Sequence, residues 1–202
     1  VHDQFLKRMQ DYAVKALREA KVNTSWLNPD EVYETGVCEF LSRILSLSST
    51  NAFLQDFLPF QQRLAKYGIY NSLSQVLIKT LAPGVPDFYQ GSELWDFSLV
   101  DPDNRQSVDY RIRQQRLSEL QHMQNSTSPL DFVHTLIQDA ETGLIKMYLT
   151  TTALHVRKRN SKLFLEGSYV PVEAKGKQAH HVCGFIRQDH SNMCLTVFPR
   201  FL

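Results

Sequence analysis

The stretch "GVPDFYQGSELWDFSLVDPDNRQSVDY", Gly84 to Tyr110, sets Tyr89, Trp95 and Phe97 among Gln90, Glu93, Asp101, Asp103, Asn104 and Arg105. Flat aromatic faces beside amides, carboxylates and a guanidinium suit a sugar, whose axial C–H groups stack on rings while its hydroxyls demand donors and acceptors. The same residues have a plainer reading. Tyr89, Trp95 and Phe97 would serve a core, and Asp101 and Asp103 would close Asx turns around Pro102.

Other chemistry-bearing groups carry less. His180, His181 and His190 suggest a metal by type, but neighbouring residues on a strand point to opposite faces, so a solvated edge is expected and no metal is assigned. Cys183 and Cys194 could face each other across a hairpin, although small buried thiols are the expectation. Ser92 has Glu93 beside it and no motif histidine nearby, which argues against a serine nucleophile. The basic run "HVRKR", His155 to Arg159, falls at a helix end, where cations meet the negative pole of the dipole.

The elements that would hold these residues fall into two textures. Phe5, Leu6, Met9, Tyr12, Ala13, Ala16 and Leu17 recur at helical spacing and predict an amphipathic helix from Asp3 to about Ala20. In "NPDEVYE", Asn28 can cap, Pro29 suits the first turn, and Asp30 and Glu31 favour the positive end of a helix running to about Leu47. A phenylalanine-rich helix with Phe53, Phe57, Leu58 and Phe60 is expected to end near Gly68. Another spans Ser72 to about Leu81, stopped by "APG". Val85 to Tyr89 is a short β-prone run, and helix, tight turn, strand and polar loop follow one another as in an α/β barrel, where functional groups sit at the carboxyl ends of strands. Helices follow at Asp109–His122, Leu130–Ala140 and Leu144–Arg159, the last weakened by three consecutive threonines. "YVPVEA", "HHVCGFIRQ" and "MCLTVFPR" then predict an antiparallel sheet of three or more strands.

The fold class expected is therefore α+β: a mainly helical part over residues 1–160, with a strand near 85–89, followed by an antiparallel β region over 161–202. The chain's 202 residues can bury a sizeable core. Its 43% hydrophobic and 21% charged content is ordinary for a globular protein and excludes a disordered one. A formal charge of +1 gives no field that would recruit nucleic acid or an anionic membrane. Three cysteines without a CxxC pair fit a reducing compartment, and no segment has the apolar length of a membrane span or of a signal h-region, so a cytoplasmic location is expected.

"GVPDFYQGSE" resembles the Gly-x-Pro-x-x-Tyr-x-Gly-x-Glu strand of the α-amylase superfamily, and the extension "LWDFSLVDPDNR" resembles, much more narrowly, the maltooligosyl trehalose synthase family. "VKALREAKVNTSWLNPDEVYE", "GIYNSLSQVLIKTLAPG" and "LFLEGSYVPVEAKGKQAHHVCGFIRQ" are similar to that family's segments before the last barrel strand, leading into it, and at the start of its carboxyl-terminal β region. The chain departs at "NRQSVDY", where Gln106 and Ser107 replace the family's usual arginine and proline.

The resemblance implies the last segment of an incomplete (β/α)8 barrel. It also implies an isomerase reaction without cofactor: intramolecular transglycosylation that turns the reducing-end α-1,4 link of a maltooligosaccharide into an α,α-1,1 link, in trehalose biosynthesis. Such retaining chemistry needs a carboxylate nucleophile and a carboxylic acid about 5 to 5.5 Å apart. The family adds a third carboxylate in a His-Asp-Thr-Lys-Arg-type motif. All three lie on earlier strands, and the lone His2-Asp3 pair falls in a helix. No catalytic residue is therefore expected in this chain, and the isolated chain is expected to be inactive. Tyr89, Gln90, Glu93, Trp95, Asp101, Asp103, Asn104 and Arg105 are expected to bind substrate or wall the site. The implied partners are a maltooligosaccharide, in the context of a full enzyme, the missing barrel segments, and a second copy of the chain through unpartnered helix faces. A non-catalytic carbohydrate-binding module and a helical interaction domain are the alternatives.

Overall fold

The computed structural model describes residues 1–201, which pack as two units. One comprises Val1–Arg63 with Phe97–Ser107, the other Leu64–Asp96 with Val108–Leu202. The chain is mainly helical with a small antiparallel sheet, the class expected.

The first unit is built on α1 (His2–Ala20) and α2 (Glu31–Ile44). Polar groups lock these helices together. Arg18 donates Nε and Nη2 to the two carboxylate oxygens of Glu34 at 2.8 and 2.7 Å, and the Thr24 hydroxyl donates to the same carboxylate at 2.6 Å. Gln10 donates to the Cys38 carbonyl and to Ser42 Oγ. The start of α2 differs from expectation: its cap is Asp30, which accepts from Tyr33 N at 2.9 Å, while Asn28 closes a turn with Ser25. An ionised acceptor makes the stronger cap. α2 also stops at Ile44 rather than near Leu47, because the Asn51 amide donates to the Ile44 and Ser46 carbonyls and satisfies the frayed end.

α3 runs unbroken over Ala52–Leu81, where two helices parted at Gly68 were expected. A single interior glycine costs only about 1 kcal/mol relative to alanine, less than a long helix gains by continuing. The helix even retains Pro59.

The second unit has two apolar cores. Leu120 from α4 (Tyr110–Ser126), Phe132 and Leu136 from α5 (Pro129–Gln138), and Leu144 and Met147 from α6 (Leu144–Arg159) form one. Leu81, Ala153, Leu163 and Phe164 of α7 (Ser161–Glu166), and Phe185 form the other. Phe185 belongs to the sheet β1 (Ser168–Val172), β2 (Val182–Gln188) and β3 (Met193–Pro199), ordered β1-β2-β3 with antiparallel neighbours. The sheet and the helices that cover it share an apolar core, since a sheet with a single apolar face needs helices to cover it. Buried Arg187 on β2 pins α7 to the sheet by donating to the Phe164 and Gly167 carbonyls at 3.1 and 2.7 Å.

One sequence expectation is corrected here, and one possibility left open by the sequence is closed by the sheet register. Val85–Tyr89 is extended coil, not a strand, because no strand among the described residues pairs with it. Cys183 lies opposite Phe198 and Cys194 opposite Arg187, so the two thiols do not face each other. Both are free, and burial pushes the Cys194 thiol pKa up.

Among the described residues every buried hydrophobic one, from Val76 to Phe185, belongs to the second unit, and the first buries only Thr24 and Glu34. The chain exposes 14432 Å². Two separately compact bodies of these sizes would expose about 11,600 Å². Phe53, Phe57 and Phe60 on α3 are 41–47% exposed, and Val85 and Phe97 are 92% and 80% exposed.

Candidate functional site

The Gly84–Tyr110 stretch is shared between the units. Tyr89, Gln90, Glu93 and Trp95 belong to the second, Asp101, Asp103, Asn104 and Arg105 to the first.

In the second unit, the stretch is fastened by cations from flanking helices. Arg113 on α4 donates Nε to Glu93 Oε2 at 2.8 Å and Nη2 to the Gly91 carbonyl at 2.6 Å, and it reaches the Asp109 carbonyl at 3.2 Å. It therefore ties the point where the chain leaves this unit to the point where it returns. Lys146 on α6 donates to the Leu94 carbonyl at 2.9 Å and lies 5.3 Å from the centre of the Trp95 ring, while Trp95 Nε1 donates to the Ala140 carbonyl at 2.7 Å. Gly143, at φ 82°, lets α6 begin close to this turn: a Cβ there would stand 3.1 Å from Trp95 N. Tyr89 is 56% exposed, and its carbonyl accepts from Ser92 Oγ at 2.6 Å. Gln90 accepts from the Tyr110 hydroxyl at 3.5 Å, a long contact.

In the first unit, Asp103 is a hub. Arg8 donates Nε to Oδ1 at 2.9 Å and Nη2 to Oδ2 at 2.6 Å, Leu99 N donates to Oδ2 at 2.6 Å, and the Gln106 amide to Oδ1 at 2.9 Å. The Arg8 hydrogen bonds, with help from Leu99 N–H, hold the Asp103 carboxyl down at about 2. Asp101 pairs with Arg105, and its carbonyl accepts from Lys15. Asn104 is exposed.

Two cavities of the second unit border this stretch. One, of about 180 Å³, is lined by Ser72, Gln75, Val76 and Lys79 of α3, by Phe88 and Ser92, and by Lys146 and Thr150 of α6. The other, of about 190 Å³, is bounded by Glu93, Tyr110, Arg113, Gln114, Leu117 and Met147 with Thr150 and Thr151. Lys146 is 9% exposed, and burial first, then the nearby Lys79 charge, lowers its pKa. Among the described residues no group of three metal-ligating side chains converges; His181 Nδ1 contacts the Phe201 carbonyl at 2.7 Å. In the basic run, Arg157 donates to the Thr80 and Ala82 carbonyls at the end of α3, a helix-capping use of its charge.

Sequence reasoning missed Arg8, Lys79, Arg113 and Lys146. Lys146 had a readable signal: it shares a helical face with Thr150, Ala153 and Arg157, spaced at 4, 7 and 11, and Ala153 on that face is buried.

No protein-family model matches the chain. A Mycobacterium tuberculosis protein named as a maltooligosyl trehalose synthase is 36% identical over 189 residues, 94% of this chain and 21% of that protein. A solved maltooligosyltrehalose synthase from Arthrobacter ramosus superposes with a TM-score of 0.77 at 33% identity, covering 96% of this chain and 23% of that one. Another solved maltooligosyl trehalose synthase gives 0.76 at 34% identity, over 91% of this chain and 23% of that one. The chain spans about a fifth of the length of the curated relatives it matches. No helix among the described residues is long and apolar enough to cross a membrane.

Proposed function

We propose, from the premise that this chain is homologous to a carboxyl-terminal portion of maltooligosyl trehalose synthases, that it serves as one wall and support of that enzyme's active site. The observation that carries this reading is the match itself, which takes in 94% of the chain but about a fifth of the relative. In the full enzyme the reaction would be intramolecular transglycosylation of a maltooligosaccharide to its α,α-1,1 end product, with the chemistry done by carboxylates on other segments.

The loop carboxylates support that division of labour. A retaining glycosyl transfer needs one free carboxylate nucleophile and one carboxylic acid whose pKa is raised. Asp103 is shifted the other way, to about 2, by Arg8, and Glu93 and Asp101 are each committed to an arginine. They brace the backbone around an acceptor. The large exposed area and the absence of a buried hydrophobic in the first unit support packing against further barrel segments, including the neighbours that would turn Val85–Tyr89 into a barrel strand. In isolation, the same surface would favour a second copy of the chain.

A free-standing carbohydrate module would need an open aromatic platform. Trp95 does not offer one: its indole N–H is engaged by Ala140 and a lysine lies over its ring. The test is to incubate the isolated chain with maltopentaose. No maltotriosyl trehalose above the enzyme-free blank is expected; product that disappears in Glu93→Gln or Asp103→Asn would overturn the reading.

A further inference from the structure

The cavity between α3, the Phe88–Ser92 segment and α6 holds two ammonium groups and no carboxylate. Lys146 is buried, and its one hydrogen bond is to a neutral carbonyl, Leu94 O. Lys79 donates to the Asp87 carbonyl at 2.9 Å and lies 4.1 Å from the centre of the Phe88 ring. Neither makes an ion pair with a described residue. The carboxylates acting on Lys146 are Glu93, already bound by Arg113, and Asp96, and neither lines the cavity. Ser72, Gln75 and Thr150 also line it, and their side chains make no hydrogen bond to any described residue.

A buried ammonium is costly unless it is paired and hydrogen-bonded, and a second cation nearby raises the cost. Two cations with unengaged hydroxyl and amide donors around about 180 Å³ of space match the needs of one small oxyanion, which accepts several charge-assisted hydrogen bonds at once. We propose that this cavity binds a small oxyanion, phosphate or carboxylate in class, between Lys79 and Lys146, with Ser72, Gln75 and Thr150 donating to its remaining oxygens. This inference does not rest on the sugar chemistry proposed above, since the cavity lining includes none of Tyr89, Gln90, Glu93, Trp95, Asp101, Asp103, Asn104 and Arg105.

The experiment titrates the folded chain with inorganic phosphate and, separately, with acetate, at constant ionic strength set by chloride so that general screening cancels. Unfolding temperature and titration heat are followed. A saturable response to at least one of the two anions is expected, and which one responds identifies the occupant's class. Lys79→Met, at an exposed position that should not disturb folding, is expected to weaken that response at least tenfold, as is Lys146→Met. Arg43→Met, at a surface ion pair within the other unit, should leave it unchanged. If neither anion differs from chloride, or if Lys79→Met binds as the parent does, the proposal fails.

Discussion

Replacing Asp103 by asparagine keeps the side chain's shape and removes its charge. In the native chain this carboxylate accepts two hydrogen bonds from Arg8, one from Leu99 N–H and one from Gln106, with 13% of the side chain exposed. Its pKa of about 2 lies roughly two units below the unfolded value of about 3.9. The group is depressed on folding, so its contribution is fully present above the unfolded pKa and is lost as pH falls through the folded one. Linkage then gives about 2 to 3 kcal/mol at pH 7 and roughly half of that at pH 3. Urea denaturation of parent and Asp103→Asn at the two pH values should show that loss of stability and its shrinkage on acidification. Arg8→Met should cost about as much, and the double variant little more than either single one, because each removes the same pair. A loss below about 0.5 kcal/mol, or one independent of pH, would refute the view that Asp103 folds the loop onto α1.

Gly143→Ala should destabilise the second unit by about 1 to 2 kcal/mol, because an L-residue is strained at φ 82° and its Cβ would meet Trp95 N at 3.1 Å. The accompanying change in tryptophan emission is the readout, and unchanged stability and emission would contradict it. The phenylalanine-rich start of α3 should bind an apolar dye in the native state and drive association at high concentration. Light scattering that shows a clean monomer, with no dye binding, would count against this.

Local signals carried most of the fold. The limits of α6 and the sheet region were legible because helical spacing and β-rich runs bounded by turn residues are local properties. The break expected at Gly68 was not found, because propensity is a weak term that a cooperative 30-residue helix overrides. The packing of the β region was not legible for another reason: Phe185 packs with Leu81 and Ala153, contacts that no local pattern announces. At the candidate site, residue types in the Gly84–Tyr110 stretch stood out, but their partners did not. Arg8 lies 95 residues from Asp103 and Lys146 lies 52 from Leu94, so only the fold brings them together. Val85–Tyr89 read as a strand from its composition, yet pairing is a property of neighbours, and none is present among the described residues.

The role as an active-site wall is tested by exchanging this segment for its counterpart in a full-length maltooligosyl trehalose synthase and following maltopentaose. The folded hybrid is expected to form maltotriosyl trehalose, while the segment alone forms none. A hybrid that folds with normal stability but yields no α,α-1,1 product would contradict it.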